Sequence, residues 1–286
     1  LQTGSSQPTR RRKPNWSRVA VGLRDKLLEL AVLLFIVFPI FWVALTSLKP
    51  LNEIYTTNVL VPLTLDNYRM IFSEAMQYQR LALNSLIVSS ATVLIAIPLG
   101  VAAAYVFARY HFRGSQAMLI GVLVTQFIPP LVIIIPFFTL FKSIGLTDSK
   151  LALIIVYLSI VLPYSIWMLR GFIDALPVEV EEAAAVDGCN EIGTLRHITF
   201  PLVLPGVITT MIFSFIMCWN EFTFALILTG TQSRMLQMGL YATAGNRGIL
   251  LEQMSATGMI VMVPMFILSF LVRRYFVEGL TMGAVK

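Results

Sequence analysis

The sequence predicts an all-α membrane protein with six transmembrane helices and one polar helix-turn-helix loop between the fourth and fifth of them. Composition is the first reason. Of 286 residues, 57% are apolar and 13% charged, whereas soluble domains carry about 25% charged residues. Patterning is the second. Six apolar windows, at about 27–48, 83–108, 117–141, 151–170, 203–229 and 254–272, each approach the roughly 20 residues that span a bilayer as a helix. Backbone polar groups in lipid must pair within the protein, and windows this long suit helices rather than barrel strands.

Residues 1–26 read as a basic cytoplasmic tail containing Arg10-Arg11-Arg12-Lys13. A signal peptide would follow such a run with a short apolar stretch and a small-residue cleavage site. Here the apolar stretch is long and no such site ends it, so a retained first span behind a disordered tail is expected. Lys and Arg set the orientation. With the N-terminus inside, 14 of the 21 basic residues fall in inside segments, among them Arg109, Arg113, Arg273 and Arg274. Both termini and the loop 171–202 are then cytoplasmic, while 49–82 and 230–253 lie outside. The net charge of +6 follows from this topology and is no sign of nucleic-acid binding. The first outer loop, with Pro50, Pro62 and Asp66-Asn67-Tyr68, suits short interfacial helices. The second is rich in Gly, Thr and Ser, and its readings as a solvated connector, a mobile loop or a re-entrant loop stay open.

No catalytic or metal-binding set emerges. His111 and His197 are isolated, and Cys189 and Cys218 read as small apolar residues. The spans hold no paired acids, His cluster or Ser/His/Asp set, which argues against a membrane enzyme. A channel would show a repeated pore motif or a ring-forming charge, and a secondary transporter would show more spans and internal repeats.

The loop 171–202 is the most polar internal stretch. Pro177 suits the first turn of a helix. Glu179, Glu181 and Glu182 follow where the helix dipole favours anions. Ala183-Ala184-Ala185 are strong helix formers. Gly188 can take the left-handed conformation that ends a helix, and Asn190 can cap a second one running to about Phe200. Pro201 and Pro205 are expected to close the unit and begin the fifth span. The alanines make a shallow face that a partner can approach, and the flanking glutamates offer acceptors for its arginines.

The order Glu182-Ala183-Ala184, Asp187-Gly188, Ile198, Pro201 and Pro205 resembles the EAA loop of importer-type ABC permeases. Over residues 27–286 the chain resembles the sugar branch of that family, which includes the second permease of the maltose system. Thr46-Ser47-Leu48-Lys49-Pro50, Leu65-Asp66-Asn67-Tyr68, Asn84-Ser85, Trp219-Asn220-Glu221-Phe222 and the ending Gly283-Ala284-Val285-Lys286 fit the branch. Cys189 and Leu195 depart from it, standing where Ala and an aromatic are more common. The resemblance implies an importer transmembrane domain over 27–286 with its coupling loop at 171–202, in a bacterial cytoplasmic membrane. It implies a second homologous permease, two ATPase subunits docked on the cytoplasmic loops, and an extracytoplasmic substrate-binding protein. Glu182, Ala183, Ala184, Asp187 and Gly188 would form the ATPase-coupling surface, with Glu182 meeting an arginine, and the tail 279–286 would reach the ATPase dimer. The chain holds no G-x-x-x-x-G-K-[ST], so ATP and Mg belong to the partner subunits. The implied cargo is a carbohydrate, with a non-sugar solute such as glycerol phosphate as the alternative.

Polar residues inside a membrane are costly and tend to face a cavity or a partner helix. Asn84, Gln126, Tyr164, Asn220 and Glu221 are therefore the candidates for a substrate pathway. Glu221 lies about 25 Å along the fifth span from Leu204 at roughly 1.5 Å per residue, near the outer boundary. Two roles stay open for it, a packing hydrogen bond or a gate. Pro129-Pro130 and Pro163 interrupt the helical ladder and mark places where spans can bend.

Overall fold

The computed structural model describes residues 16–73, 77–243 and 250–284, with side chains between residues 24 and 271 of those ranges. Arg10-Arg11-Arg12-Lys13, Arg247 and the last two residues lie outside it, and so do the side chains of Arg273, Arg274 and the rest of the expected ATPase-reaching tail. The described chain forms α1 (Trp16–Ser47), α2 (Asp66–Ile71), α3 (Tyr78–Arg109), α4 (Ser115–Val124), α5 (Pro130–Ser143), α6 (Lys150–Asp174), α7 (Val178–Val186), α8 (Glu191–Thr194), α9 (Phe200–Asn220), α10 (Thr223–Leu228), α11 (Leu236–Ala242) and α12 (Leu251–Ala284). Among the described residues there is no strand.

Five helical stretches are long and apolar enough to cross a membrane: residues 24–47 of α1, α3, α6, the run Glu191–Asn220 and Leu251–Leu271. α4 and α5 together are long and apolar enough for a sixth, but they are bent by 94° against each other, where the sequence suggested one segment at 117–141. A 3-10 turn at Thr125–Phe127 leads into the break. Ile128 and Pro129 each precede a proline, which disfavours helical backbone, and both are extended, with ψ of 118° and 134°.

The centre of the bundle is the contact between α3 and α6. Gly100 meets Ser165, and Arg109 meets Ile173, so the two helices run parallel. A Cβ on Gly100 would sit 3.0 Å from that of Ser165. Lipid is as apolar as leucine, so helices in a membrane gain little from hydrophobic burial; close approach at small residues supplies the packing. Ala96 and Ala104 continue this seam, buried with Val88, Val101, Leu153, Val156 and Leu169. α9 crosses α6 at Gly206, where a Cβ would overlap the Phe172 ring. α1 packs on α12, and its apolar residues 27–38 stay exposed on the single chain.

Two motifs that are separate in sequence clasp each other where α1 ends. Asn67 donates to the carbonyls of Ser47 and Lys49, both at 2.9 Å. The hydroxyls of Ser47 and Tyr68 pair at 2.8 Å. Lys49, 1% exposed, donates to the Thr56 carbonyl at 2.7 Å with its ammonium 5.1 Å from the centre of the Trp42 ring. The short segment around α2 is thereby fixed to the end of the first span.

The second helix of the polar loop does not end at its prolines. α8, one π turn over Leu195–Thr199 and α9 form a continuous helical run of 30 residues. The Phe200 N–H reaches back five residues to the Leu195 carbonyl. Pro201 cannot supply an N–H to an ordinary turn, and the wider turn carries the helix past it. The fifth span begins at these prolines as expected, but without the expected closure: the loop's second helix runs into it unbroken.

Candidate functional site

At the α7 end of the bundle, one ion pair joins four elements. Arg109, the last residue of α3, donates from Nε to Oε2 of Glu181 at 2.7 Å and from Nη2 to Oε1 at 3.2 Å. The same Nη2 donates to the carbonyls of Ile173 and Leu176, at 3.0 and 3.2 Å, where α6 ends. Helix C-termini carry unpaired carbonyls and negative dipole charge, so a guanidinium belongs there. Thr199, in the π turn, donates its hydroxyl to Glu181 Oε1 at 2.8 Å. The Arg109 and Glu181 side chains are 11% and 9% exposed.

This arrangement divides the residues of α7 between two faces. Glu181 and Ala184, one turn apart, point inward and are buried. Glu182, Ala183, Val186 and Asp187 are exposed. Of the glutamates flanking the alanines, expected to offer acceptors to a partner, Glu181 is held within the chain and Glu182 faces out. Gly188 makes the turn with φ of +89°, in the left-handed region that resists a branched side chain. Asn190 caps α8, its Oδ1 accepting the Gly193 N–H at 2.7 Å, as its position suggested. Val180, Val186 and Ile192 add exposed apolar surface beside the acids.

A second polar cluster sits at the opposite end of the bundle. Asp148, between α5 and α6, has φ of +54°. Its carboxylate accepts the N–H groups of Gly230, Gln232 and Ser233 at 2.8, 3.0 and 2.9 Å, and the Ser233 hydroxyl at 2.7 Å. Burial pushes the Asp148 carboxyl up, but these four donors together hold it well below the usual carboxylate range. Asn84 takes the other edge of the segment, donating to the carbonyls of Gln232 and Arg234 at 3.0 and 2.9 Å. Ser85 Oγ accepts the Leu236 N–H at 2.8 Å. Residues 230–236 are therefore a fixed turn. Residues 244–249 of the same loop lie outside the described part.

Among the described residues, the five pathway candidates make no hydrogen bond to one another. Asn84 belongs to the cluster just described. Gln126 sits at the α4–α5 break and donates to the Ile160 carbonyl at 2.6 Å. Tyr164 is half-buried on α6. Asn220 is exposed and reaches Met265 Sδ at 3.7 Å. Glu221 accepts the N–H groups of Phe224, at 3.0 and 3.1 Å to its two oxygens, and of Ala225 at 3.3 Å, capping α10. Beside it a pocket of about 200 Å³ is lined by Tyr157, Ile160, Val161, Met217, Cys218 and Glu221. Trp219 donates to the Val261 carbonyl at 3.1 Å. The Trp-Asn-Glu run thus links α9, α10 and α12.

Sequence reasoning counted Arg109 only as a positive charge and passed over Asp148 and Thr199. A lone arginine ending a span opposite a glutamate-rich loop was a usable signal for the first. The second depends on a positive φ and on partners 82 to 85 residues away, and nothing local reveals it.

Comparison with known proteins matches this architecture. Residues 96–281 fit the family described as the binding-protein-dependent transport system inner membrane component. The chain is 38% identical over 224 residues to a putative ABC transporter permease of Streptomyces antibioticus, covering 78% of this chain and 97% of that one. It is 32% identical to the diacetylchitobiose uptake system permease DasC of Streptomyces coelicolor, covering 90% and 95%. It is 31% identical to the trehalose/maltose transport system permease MalG of Thermococcus litoralis, covering 90% and 94%. Among solved structures, a bacterial ABC transporter that imports the acidic polysaccharide alginate superposes with a TM-score of 0.71 at 21% identity, over 94% of this chain and all of that one. The long apolar helices, the bent pair and these matches over most of the chain make it a member of the family of inner membrane components of binding-protein-dependent transport systems.

Proposed function

We propose that this chain is the permease subunit of an ABC importer that carries a carbohydrate into the cytoplasm, driven by ATP hydrolysis on separate subunits that dock on α7. The observation that carries the reading is the outward face of α7. Glu182, Ala183, Val186 and Asp187 are exposed on a helix whose other side is tied into the bundle, and Gly188 turns the chain back at +89°. Such a face offers a carboxylate, two small or apolar contacts and a fixed shape, which suit a groove carrying a cationic residue. The excess of Lys and Arg on the same side supports a cytoplasmic position. A second permease of the same family would complete the translocation path, and a binding protein would deliver cargo at the opposite end. ATP and Mg would be held by the ATPase subunits. Relatives named for diacetylchitobiose, trehalose and trehalose/maltose support a sugar as cargo.

The test is retention of the ATPase by the purified permease pair. Glu182→Lys sets like charges against each other at the contact, at a cost of several kcal/mol, and should release the ATPase at moderate salt. Gly188→Val should abolish transport while membrane insertion survives. Full ATPase retention with Glu182→Lys and normal uptake with Gly188→Val would sink the docking reading. Uptake of labelled disaccharides against glycerol phosphate, with the cognate binding protein present, decides the cargo.

A further inference from the structure

A helix that receives a push from a partner transmits it only if it is fastened to what must move. α7 is nine residues long, bounded by Pro177 and by the turn at Gly188. It could swing freely about both ends. Its single buried carboxylate prevents this. Glu181 is gripped by Arg109 at the end of α3 and by Thr199 in the π turn that runs into α9. Arg109 in turn holds the last carbonyls of α6. One carboxylate and one guanidinium therefore fasten α7 to three of the spanning helices at once.

We infer that Arg109 and Glu181 are positioning residues for energy coupling: they make α7 move as one body with α3, α6 and α9, so that displacement of the loop reaches the spans. Both side chains are spent on one another and on the ends of neighbouring helices, and Glu181 is 9% exposed, with little face to offer a partner. This rests on the reading that an ATPase docks on α7. The geometry is suited to the task. Among the described residues, the side-chain hydrogen bonds that tie α7 to the bundle are those of Glu181. A buried ion pair in a low-dielectric site is directional and costly to open, since opening strands both charges. The continuous helix from Glu191 to Asn220 supplies the second path, because Thr199 ties Glu181 to that helix without an intervening loop.

The experiment uses the assembled transporter in proteoliposomes and reads the ratio of solute imported to ATP hydrolysed, together with the amount of ATPase retained. Glu181→Gln keeps the shape and the acceptor for Thr199 but removes the charge. The expected result is normal ATPase retention, hydrolysis that persists, and an import-to-hydrolysis ratio lower by at least about fivefold, in the range of ordinary allosteric couplings. Thr199→Val removes one leg of the joint without changing volume and should lower the ratio by less. A purely structural role would lower import and hydrolysis together and leave the ratio intact, which would overturn the inference. If Glu181→Gln fails to assemble, Thr199→Val decides alone, and a wild-type ratio in it overturns the inference. Failure of the docking reading shows separately, as ATPase retention that survives Glu182→Lys.

Discussion

The two polar clusters at opposite ends of the bundle each centre on one carboxylate, yet they do different work. Glu181 is matched by side chains, the Arg109 guanidinium and the Thr199 hydroxyl, each standing on a helix. Asp148 is matched mainly by backbone N–H groups of a single irregular segment, with Asn84 holding that segment's carbonyls from the other side. The first arrangement binds rigid bodies to one another and lets them move together. The second substitutes for the ladder that residues 230–236 lack and gives an irregular strip one shape. A buried backbone polar group must find a partner, and at this end the partners are side chains. The α7 end is a joint, and the opposite end is a mould.

The largest effect should come from breaking the joint outright. Arg109→Met leaves Glu181 buried without its cation, which costs about 3–5 kcal/mol. The yield of folded protein in detergent and its melting temperature should both fall sharply. A variant that melts like wild type would mean that the joint opens to water without penalty, and the contrast between the two ends would lose its basis.

Breaking the mould should cost less and stay local. Asp148→Ala takes the acceptor from three backbone N–H groups, that of Gln232 exposed and those of Gly230 and Ser233 part-buried, where water replaces it in part, at about 1–3 kcal/mol. Amide exchange at Gly230, Gln232 and Ser233 should accelerate while amides of α3 and α6 keep their protection. Acceleration throughout the bundle would show that this cluster, too, fastens helices.

Thr199→Val removes one donor from the Glu181 carboxylate, at the low end of the range of about 1.5–3 kcal/mol for a bond to a charged group, because Arg109 still pairs it. A measurable drop in melting temperature is expected, smaller than that of either variant above. A drop as large as that of Arg109→Met would assign the joint to the hydroxyl rather than to the ion pair.

The smallest effect is that of acid on the mould. A carboxyl whose folded value is depressed adds stability that is complete above its ordinary value, 3.8, and is lost as pH falls through the folded one. Lowering the pH from about 7 to about 5 should therefore leave the exchange rates at Gly230 and Ser233 unchanged once the intrinsic pH dependence is removed. Faster opening at pH 5 would show that Asp148 is less firmly held than its four donors require.

Much of this protein was legible in the chain itself. Length and apolarity determined that it crosses a membrane and where most spans lie, because a bilayer accepts little besides helices of about 20 residues. The turn at Gly188 and the cap at Asn190 were legible because both are local backbone chemistry. So was the outward Glu182, through the spacing that resembles a known loop. The tertiary structure alone decided how the prolines act. At Pro129-Pro130 α4 and α5 are bent by 94° against each other, whereas Pro201 is carried inside a helix by a π turn, since the effect of a proline depends on whether the turn before it can widen. It alone decided which of two adjacent glutamates faces outward, because that depends on where Arg109 ends α3. And it alone joined Asp148 and Asn84 to residues 230–236. Those contacts span 82 to 150 residues of chain, and a hydrogen bond acts through space, with no trace in the sequence between its ends.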